Sequence, residues 1–216
     1  MEELILKAAI TLPLLLLAVS VHEAAHALAA LRLGDDTAAL QGRISLYPPR
    51  HLDPIGSLAL PLAVLVLTHQ RFIYGYAKPT PVDPAKLRRP KRDYSLVALA
   101  GPLSNLSLAF ALALVAHGLS SAGWNGPGTA AVLGWGIALN VLLGLFNLIP
   151  FPGFDGLKAL YVFLPDSWCW RLNKPEPFYL LALFMVFWLG LFQWVFEPIN
   201  RLIAVLCGWG GALIPF

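Results

Sequence analysis

Charged side chains are scarce in this sequence of 216 residues. Only 12% of the residues are Asp, Glu, Lys or Arg, whereas 58% are hydrophobic. Soluble domains carry about 25% charged residues, so this composition excludes an ordinary soluble fold. The formal net charge is only +3, and the sequence contains no long basic run interleaved with aromatic residues. We therefore expect no nucleic-acid partner and an integral protein of the lipid bilayer.

Cysteine is also rare, since Cys169 and Cys207 are the only two. They show no CxxC or Cys/His spacing, and isolated thiols in apolar surroundings are typical of packing residues. They do not indicate a redox compartment. The first apolar segment lacks a cationic front and a small-residue cleavage site, so we do not expect a removable signal peptide.

Long apolar runs are what the sequence does contain. A run of about 20 apolar residues is long enough to cross a bilayer as a helix. The run at 55–67 is too short to cross and is interrupted by Pro61, which is typical of a re-entrant or interfacial segment. The runs long enough to cross are 4–31, 94–117, 129–149 and 177–196.

These runs predict an all-α integral membrane protein with about four to six membrane helices and a re-entrant segment. We expect one polytopic domain over 1–216, with its core motifs in 15–158 and C-terminal helices in 177–216. The tail from 199 onward is apolar and rich in glycine, and the sequence leaves open whether it spans the membrane.

Two connections have the character of extended chain. Apolar and polar residues alternate between Arg43 and Leu46, which predicts a short strand or hairpin. The stretch 75–84 contains prolines at a density that excludes a helix. We therefore expect a short β or extended region beside the helices, on the cytosolic side.

The distribution of Lys and Arg predicts the topology. The connections Arg32–Arg50, Lys78–Arg92 and Lys158–Lys174 are cationic, whereas Gly118–Gly128 contains no Lys or Arg. If the cationic connections face the cytosol, the protein is a multi-pass protein of the cell membrane and the run at 55–67 returns to the side from which it entered.

The first apolar run contains His22-Glu23-Ala24-Ala25-His26. Ionisable residues within a membrane helix are costly and mark a functional site by default. His22 and His26 stand at i and i+4 on one helix face and can hold one Zn²⁺, while Glu23 beside them can take a proton from metal-bound water. The alternative is a buried polar cluster that only packs helices together.

Asp155 follows the third long run at the same predicted depth and side as the two histidines. A catalytic zinc takes three protein ligands and keeps one position open for water, so Asp155 is the best-placed third ligand. Taken alone, an Asp-Gly pair after prolines is typical of a turn. The sequence thus predicts one zinc per chain.

With these motifs the sequence resembles the site-2 protease family of intramembrane zinc metalloproteases. The likeness is to a compact bacterial-type branch without a PDZ domain. The resemblance covers roughly 15–158 and departs from some members in having no membrane helix before the HExxH helix. The motifs that carry it are His22–His26, the Asn147–Gly156 stretch, Ala100-Gly101-Pro102-Leu103-Ser104-Asn105, His51–Gly56 and Ala77–Pro84.

This likeness implies that His22, His26 and Asp155 are the zinc ligands and that Glu23 is the catalytic base. Asn147 and Asn105 would hold the substrate backbone or the developing oxyanion. The implied function is an endoprotease that hydrolyses peptide bonds in transmembrane segments of membrane-protein substrates near the cytosolic face, in regulated intramembrane proteolysis.

Several alternatives remain open. A membrane zinc protease of the prenyl-protein-processing type would need Glu176 or Glu197 as its third ligand. A catalytically silent zinc-binding scaffold and a metal transporter are non-enzymatic alternatives. His51 could be an additional donor at the metal site or a local cap. The stretch 78–84 could add a substrate strand to its edge or be a stiff connector.

Overall fold

The computed structural model describes residues 2–53, 56, 77–124, 126–172 and 192–208, and the regular structure among them is helical throughout. Short 3₁₀ turns stand at Pro48–Arg50, Pro84–Lys86 and Leu160–Phe163. The predicted all-α class is therefore confirmed. The helices are α1 (Glu2–Leu33), α2 (Thr37–Leu40), α3 (Pro90–Ser121), α4 (Pro127–Asn147), α5 (Asp155–Ala159), α6 (Asp166–Leu172) and α7 (Phe192–Cys207).

Within the described residues, three helices are long and apolar enough to cross a membrane. They are the Ala9–Leu33 part of α1 and the whole of α3 and α4. The run predicted at 55–67 and most of the one at 177–196 lie outside the described residues. The described part of the chain therefore supports a membrane protein, with three of the predicted spans.

The short strand or hairpin predicted around Arg43–Leu46 is not shown, because no strand is assigned there in the described residues. The chain instead leaves α2 in a tight turn, in which Gly42 has φ +67° and the Arg43 amide donates to the Ala38 carbonyl at 3.0 Å. The stretch 77–83 is neither helix nor strand, as its prolines require.

The three long helices pack through small residues. A Cβ on Gly144 of α4 would lie 2.8 Å from Leu106 Cγ and 3.0 Å from the Pro102 carbonyl oxygen of α3, so only glycine allows this approach. Helix α7 covers the other part of the same apolar core. The buried members of this cluster are Ala109, Ala113, Ile137, Ala138, Val141, Ile199 and Ile203.

Short contacts fix α5 against the start of α3. The Ser95 hydroxyl on α3 donates to the Lys158 carbonyl and accepts from the Val162 amide, at 3.2 and 3.1 Å. A Cβ on Gly156 would lie 2.2 Å from the Leu148 carbonyl oxygen, so glycine is required for the chain to fold back after α4. The first residue of α5, Asp155, is thereby held beside α1 and α3.

Candidate metal centre

His22, His26 and Asp155 come together in a buried cluster between α1, α3 and α5. The two imidazole rings lie 4.7 Å apart between centroids, as the i, i+4 spacing predicts. Their Nε2 atoms lie 3.0 and 3.1 Å from the Asp155 Oδ2 atom. In the part of the chain that the structure describes, this is the group of His, Cys, Asp and Glu side chains whose ligand atoms lie within 4.8 Å of one another.

Each histidine ring is oriented through its Nδ1 atom. The His26 Nδ1–H donates to the Val97 carbonyl at 2.7 Å, and the His22 Nδ1–H donates to Asn105 Oδ1 at 2.6 Å. A backbone carbonyl can only accept, which fixes the His26 tautomer. The Asn105 amide nitrogen donates to the Ala18 carbonyl at 3.0 Å, so the other end of that amide must be its oxygen. In their neutral form, which is the form that binds metal, both rings therefore carry their proton on Nδ1 and direct the Nε2 lone pair at Asp155.

Three lone pairs consequently meet at one buried point. In the neutral form of the rings neither Nε2 atom carries a proton, and the Asp155 carboxylate can only accept. Buried lone pairs facing each other without a donor are unfavourable, and a cation satisfies all three at once. Two imidazole nitrogens and one carboxylate oxygen are ligands that Zn²⁺ takes, and three protein ligands leave a fourth position for water. The residues present fit a catalytic zinc.

Gly101 on α3 provides the space beside the ring nitrogens. A Cβ built there would lie 2.3 Å from His26 Nε2 and 2.6 Å from His22 Nε2. Any side chain would displace the rings or occupy the volume next to their lone pairs. The Gly-Pro motif therefore serves the site through the absence of a side chain.

Lys158 contacts the second oxygen of Asp155, with its Nζ 3.1 Å from Oδ1. The positive charge of Lys158 favours the ionised form of the Asp155 carboxyl. Burial lowers the pKa of the Lys158 ammonium, but the charge of Asp155 outweighs it and the net shift is upward. Both groups are therefore ionised at neutral pH, and a carboxylate is the form that binds metal.

Glu23 lies next to the cluster without belonging to it. Its carboxylate Oε2 accepts a hydrogen bond from the Thr80 amide at 2.9 Å and one from the Thr80 hydroxyl at 2.7 Å. The side chain is half-buried, between the two histidines in sequence. This is a position for a proton acceptor beside a metal.

The resemblance implies that Asn105 donates a hydrogen bond to the substrate, but in the structure its amide bonds to other parts of the protein. Both of its amide hydrogens are used, one on the Ala18 carbonyl and the other on Asn140 Oδ1 at 2.8 Å. An oxyanion donor needs a free N–H, so Asn105 here orients His22. Asn147 is half-buried and donates to the Leu143 carbonyl one turn earlier at 2.9 Å, and its substrate role stays a prediction.

His51 is fully buried but does not join the ligand cluster. Its Nε2–H donates to the Ser45 carbonyl at 2.7 Å, and its own carbonyl accepts from the Lys78 amide at 2.8 Å. It thus supports the 77–83 stretch locally. Of the alternative glutamate ligands, Glu197 lies on α7 and pairs with Arg201 on an exposed face, and Glu176 lies outside the described residues.

Sequence reasoning missed several residues at the site. Lys158 stands one helical turn after Asp155, and that i, i+3 spacing is a signal that could have identified it. Asn140 is a lone amide within an apolar run, which also marks a buried polar role. Thr80 has no comparable signal, because its contact depends on how the chain folds back over α1.

The sequence was compared with known proteins. No family model and no solved structure matches. The chain is 32% identical over 189 residues to "Putative zinc metalloprotease YwhC" of Bacillus subtilis (strain 168), covering 85% of this chain and 82% of that relative. It is also 32% identical over 187 residues to "Putative zinc metalloprotease Rip2" of Mycolicibacterium smegmatis, covering 84% and 68%.

A shorter match reaches an archaeal protein. The chain is 37% identical over 95 residues to "Putative zinc metalloprotease MJ0611" of Methanocaldococcus jannaschii, covering 43% of this chain and 44% of that relative. The two bacterial matches extend over most of this chain. Together with the order of the sequence motifs in this chain, they show that the chain belongs to the site-2 protease family of zinc metalloproteases.

Proposed function

We propose that the protein is an intramembrane endoprotease that hydrolyses peptide bonds of membrane-spanning segments near the cytosolic face. His22, His26 and Asp155 are the zinc ligands in this proposal, and Glu23 is the general base. The observation that supports it most is the meeting of three metal-ligand atoms beside a carboxylate that is not a ligand. A cluster that only packed helices or stored metal would have no need of that carboxylate.

A zinc ion bound here would lower the pKa of its water and polarise the scissile carbonyl. Glu23 would take a proton from that water and later deliver it to the leaving amide nitrogen. The hydrogen bonds from Thr80 both reach Oε2. We therefore assign proton transfer to Oε1.

The residues around the ligands hold them in the form that binds metal. Val97 and Asn105 keep the imidazole protons on Nδ1, and Lys158 keeps the Asp155 carboxylate ionised and in place. Loss of such an outer partner typically costs about 10–100-fold in metal affinity or activity.

The position of the site supports a membrane-spanning segment as the substrate. Helix α1 has 32 residues, which is longer than a bilayer requires, and Asp155 comes after α4 has ended. The site thus lies toward one end of the helical bundle. Amides within a substrate helix are hydrogen-bonded and shielded, so the cleaved segment must unwind there.

Zinc analysis combined with cleavage tests this proposal. The purified protein in lipid vesicles is expected to contain one zinc per chain and to cleave a single-span model substrate. A chelator should abolish cleavage, and added zinc should restore it. Zinc flux across the vesicles without cleavage would identify a transporter instead, and bound zinc with neither activity would identify a silent scaffold.

A further inference from the structure

Thr80 contacts the proposed base through both its backbone and its side chain. Its amide and its hydroxyl lie 2.9 and 2.7 Å from Glu23 Oε2, and the hydroxyl also lies 3.0 Å from the Glu23 carbonyl oxygen. Two donors on one carboxylate oxygen fix the orientation of the whole group. The second oxygen, Oε1, is then presented in a defined direction.

The chain just before Thr80 is held by a buried arginine. Arg43 donates from one guanidinium nitrogen to the carbonyls of Lys78 and Pro79, at 3.1 and 2.8 Å. The Lys78 amide in turn donates to the His51 carbonyl at 2.8 Å. Three hydrogen bonds therefore fix the residues that precede Thr80.

The chain just after Thr80 is tied to the end of α1. The Asp83 amide donates to Asp35 Oδ2 at 2.7 Å, and Asp35 is completely buried. Pro79 and Pro81 flank Thr80, and a proline ring fixes its own φ. Thr80 thus lies between two anchored points on a stiff segment, and its position relative to Glu23 does not depend on a mobile loop.

We propose that Thr80 is a positioning residue that holds Glu23 for proton transfer. This inference rests on the proposed protease function. A glutamate side chain has rotamer freedom that must be lost before it can act, and small misplacements of a catalytic group lower the rate strongly. The Thr80 hydroxyl removes that freedom in advance. A segment that was merely a stiff connector would need the backbone anchors but not this hydroxyl.

The test compares two substitutions at Thr80. Thr80→Val keeps the branched shape and the backbone amide but removes the hydroxyl, whereas Thr80→Ser keeps the hydroxyl. A misplacement of about 1 Å can cost about 100-fold in rate, so loss of the orienting hydroxyl should lower the rate by about 10–100-fold. We expect that loss in kcat for Thr80→Val, with KM, zinc content and thermal stability unchanged, and recovery of most of the rate in Thr80→Ser. Thr129→Val, at an exposed threonine near the start of α4, is the matched control and should behave as wild type.

Unchanged kcat in Thr80→Val would overturn the proposal, as would a Thr80→Ser variant that is equally slow. Loss of zinc or of stability in parallel with kcat would also overturn it, because the role would then be structural. If the wild-type protein binds zinc but does not cleave, the protease function fails and the positioning role fails with it.

Hydrogen exchange tests the contact without any activity. Pro79 and Pro81 carry no amide hydrogen, so a peptide over 78–83 reports on few amides, with Thr80 among them. Glu23→Ala should speed exchange of that peptide, because the Thr80 amide loses its acceptor. Exchange identical to that of the wild type would overturn the inference.

Discussion

Gly101 lies opposite the Nε2 atoms of His22 and His26, where α3 approaches α1. The absence of a side chain there leaves the volume that a metal bound by both rings would need. Gly101 therefore leaves room for a metal as well as allowing the two helices to pack closely.

Gly101→Ala should weaken zinc binding by about 100-fold or more. The new methyl group would displace both rings, and this should lower zinc affinity by more than the loss of one outer hydrogen-bond partner does. Metal titration of the purified variant measures this. Gly118→Ala is the control on the same helix, since a Cβ at Gly118 would meet nothing within 4 Å, and it should bind zinc as the wild type does. Equal zinc affinity in both variants would contradict the proposed geometry.

The meeting of His22, His26 and Asp155 could be predicted from the sequence, because these residue types stand at short, characteristic spacings. The i, i+4 histidines with an adjacent glutamate predict one helix face, and an Asp-Gly after the third run predicts a turn at the same depth. The residues that orient them were not predictable in this way. The Val97 carbonyl carries no residue-type signal, and the Thr80 hydroxyl reaches Glu23 only through tertiary folding.

At the scale of elements, Asp35 joins the end of α1 to the chain that carries Thr80. Its carboxylate accepts from the Thr37 amide at 2.9 Å and from the Asp83 amide at 2.7 Å. Burial raises the pKa of the Asp35 carboxyl, but the hydrogen bonds from Thr37 and Asp83 outweigh it and hold this pKa below its usual range. The ionised carboxylate is therefore the form that stabilises this junction.

Asp35→Asn should lower the free energy of unfolding by about 1–3 kcal/mol at neutral pH, because buried amides lose a charged acceptor. The pKa of Asp35 is lower in the folded protein than in the unfolded chain. The stability that its carboxylate contributes is therefore present above about pH 4 and is lost as the pH falls through the folded-state pKa. The stability difference between wild type and variant should thus shrink on acidification. Thermal unfolding in detergent between about pH 7 and pH 3 measures it.

Asp36→Asn is the control for this prediction. Asp36 pairs with Lys86 at 2.8 Å, but both side chains are about half exposed, and such pairs contribute less than about 1 kcal/mol. The account would be contradicted if Asp36→Asn lowered the free energy of unfolding more than Asp35→Asn does. It would also be contradicted if the stability difference between wild type and Asp35→Asn grew on acidification.

The described membrane helices and the non-helical proline-rich stretch at 77–83 were predicted well, whereas the strand or hairpin at Arg43–Leu46 is not shown. The run at 94–117 lies within α3 and the run at 129–149 overlaps α4 almost entirely, because length and apolarity alone specify a membrane helix. The alternation at Arg43–Leu46 covers only four residues, which is short for a strand, and the chain enters it through a glycine turn with local hydrogen bonds.

At the scale of the whole molecule, the cationic connections lie at one end of the bundle. The Arg88 amide donates to the Leu33 carbonyl at 3.1 Å, and Ser95 binds the Lys158 carbonyl. The end of α1, the start of α3 and the chain after α4 are therefore neighbours, as the positive-inside pattern required. The neutral turn after α3 lies at the other end of α3 and α4.

This arrangement predicts which surfaces face the cytosol. Ala85→Cys and Ala122→Cys both replace an exposed alanine, and each is made after Cys169 and Cys207 are changed to serine. An impermeant maleimide should label Ala122→Cys in intact cells and Ala85→Cys only after permeabilisation. The opposite pattern would place the metal centre toward the outer face.

The zinc content and cleavage rate of two variants test the central claim most directly. Asp155→Ala removes a proposed ligand, whereas Glu23→Gln keeps the shape of the base and removes its basicity. The account predicts that Asp155→Ala loses both zinc and activity. It predicts that Glu23→Gln keeps its zinc but cleaves at least about 100-fold more slowly, as loss of a general base does. Full zinc in Asp155→Ala, or near-wild-type cleavage by Glu23→Gln in a single-turnover assay, would contradict it.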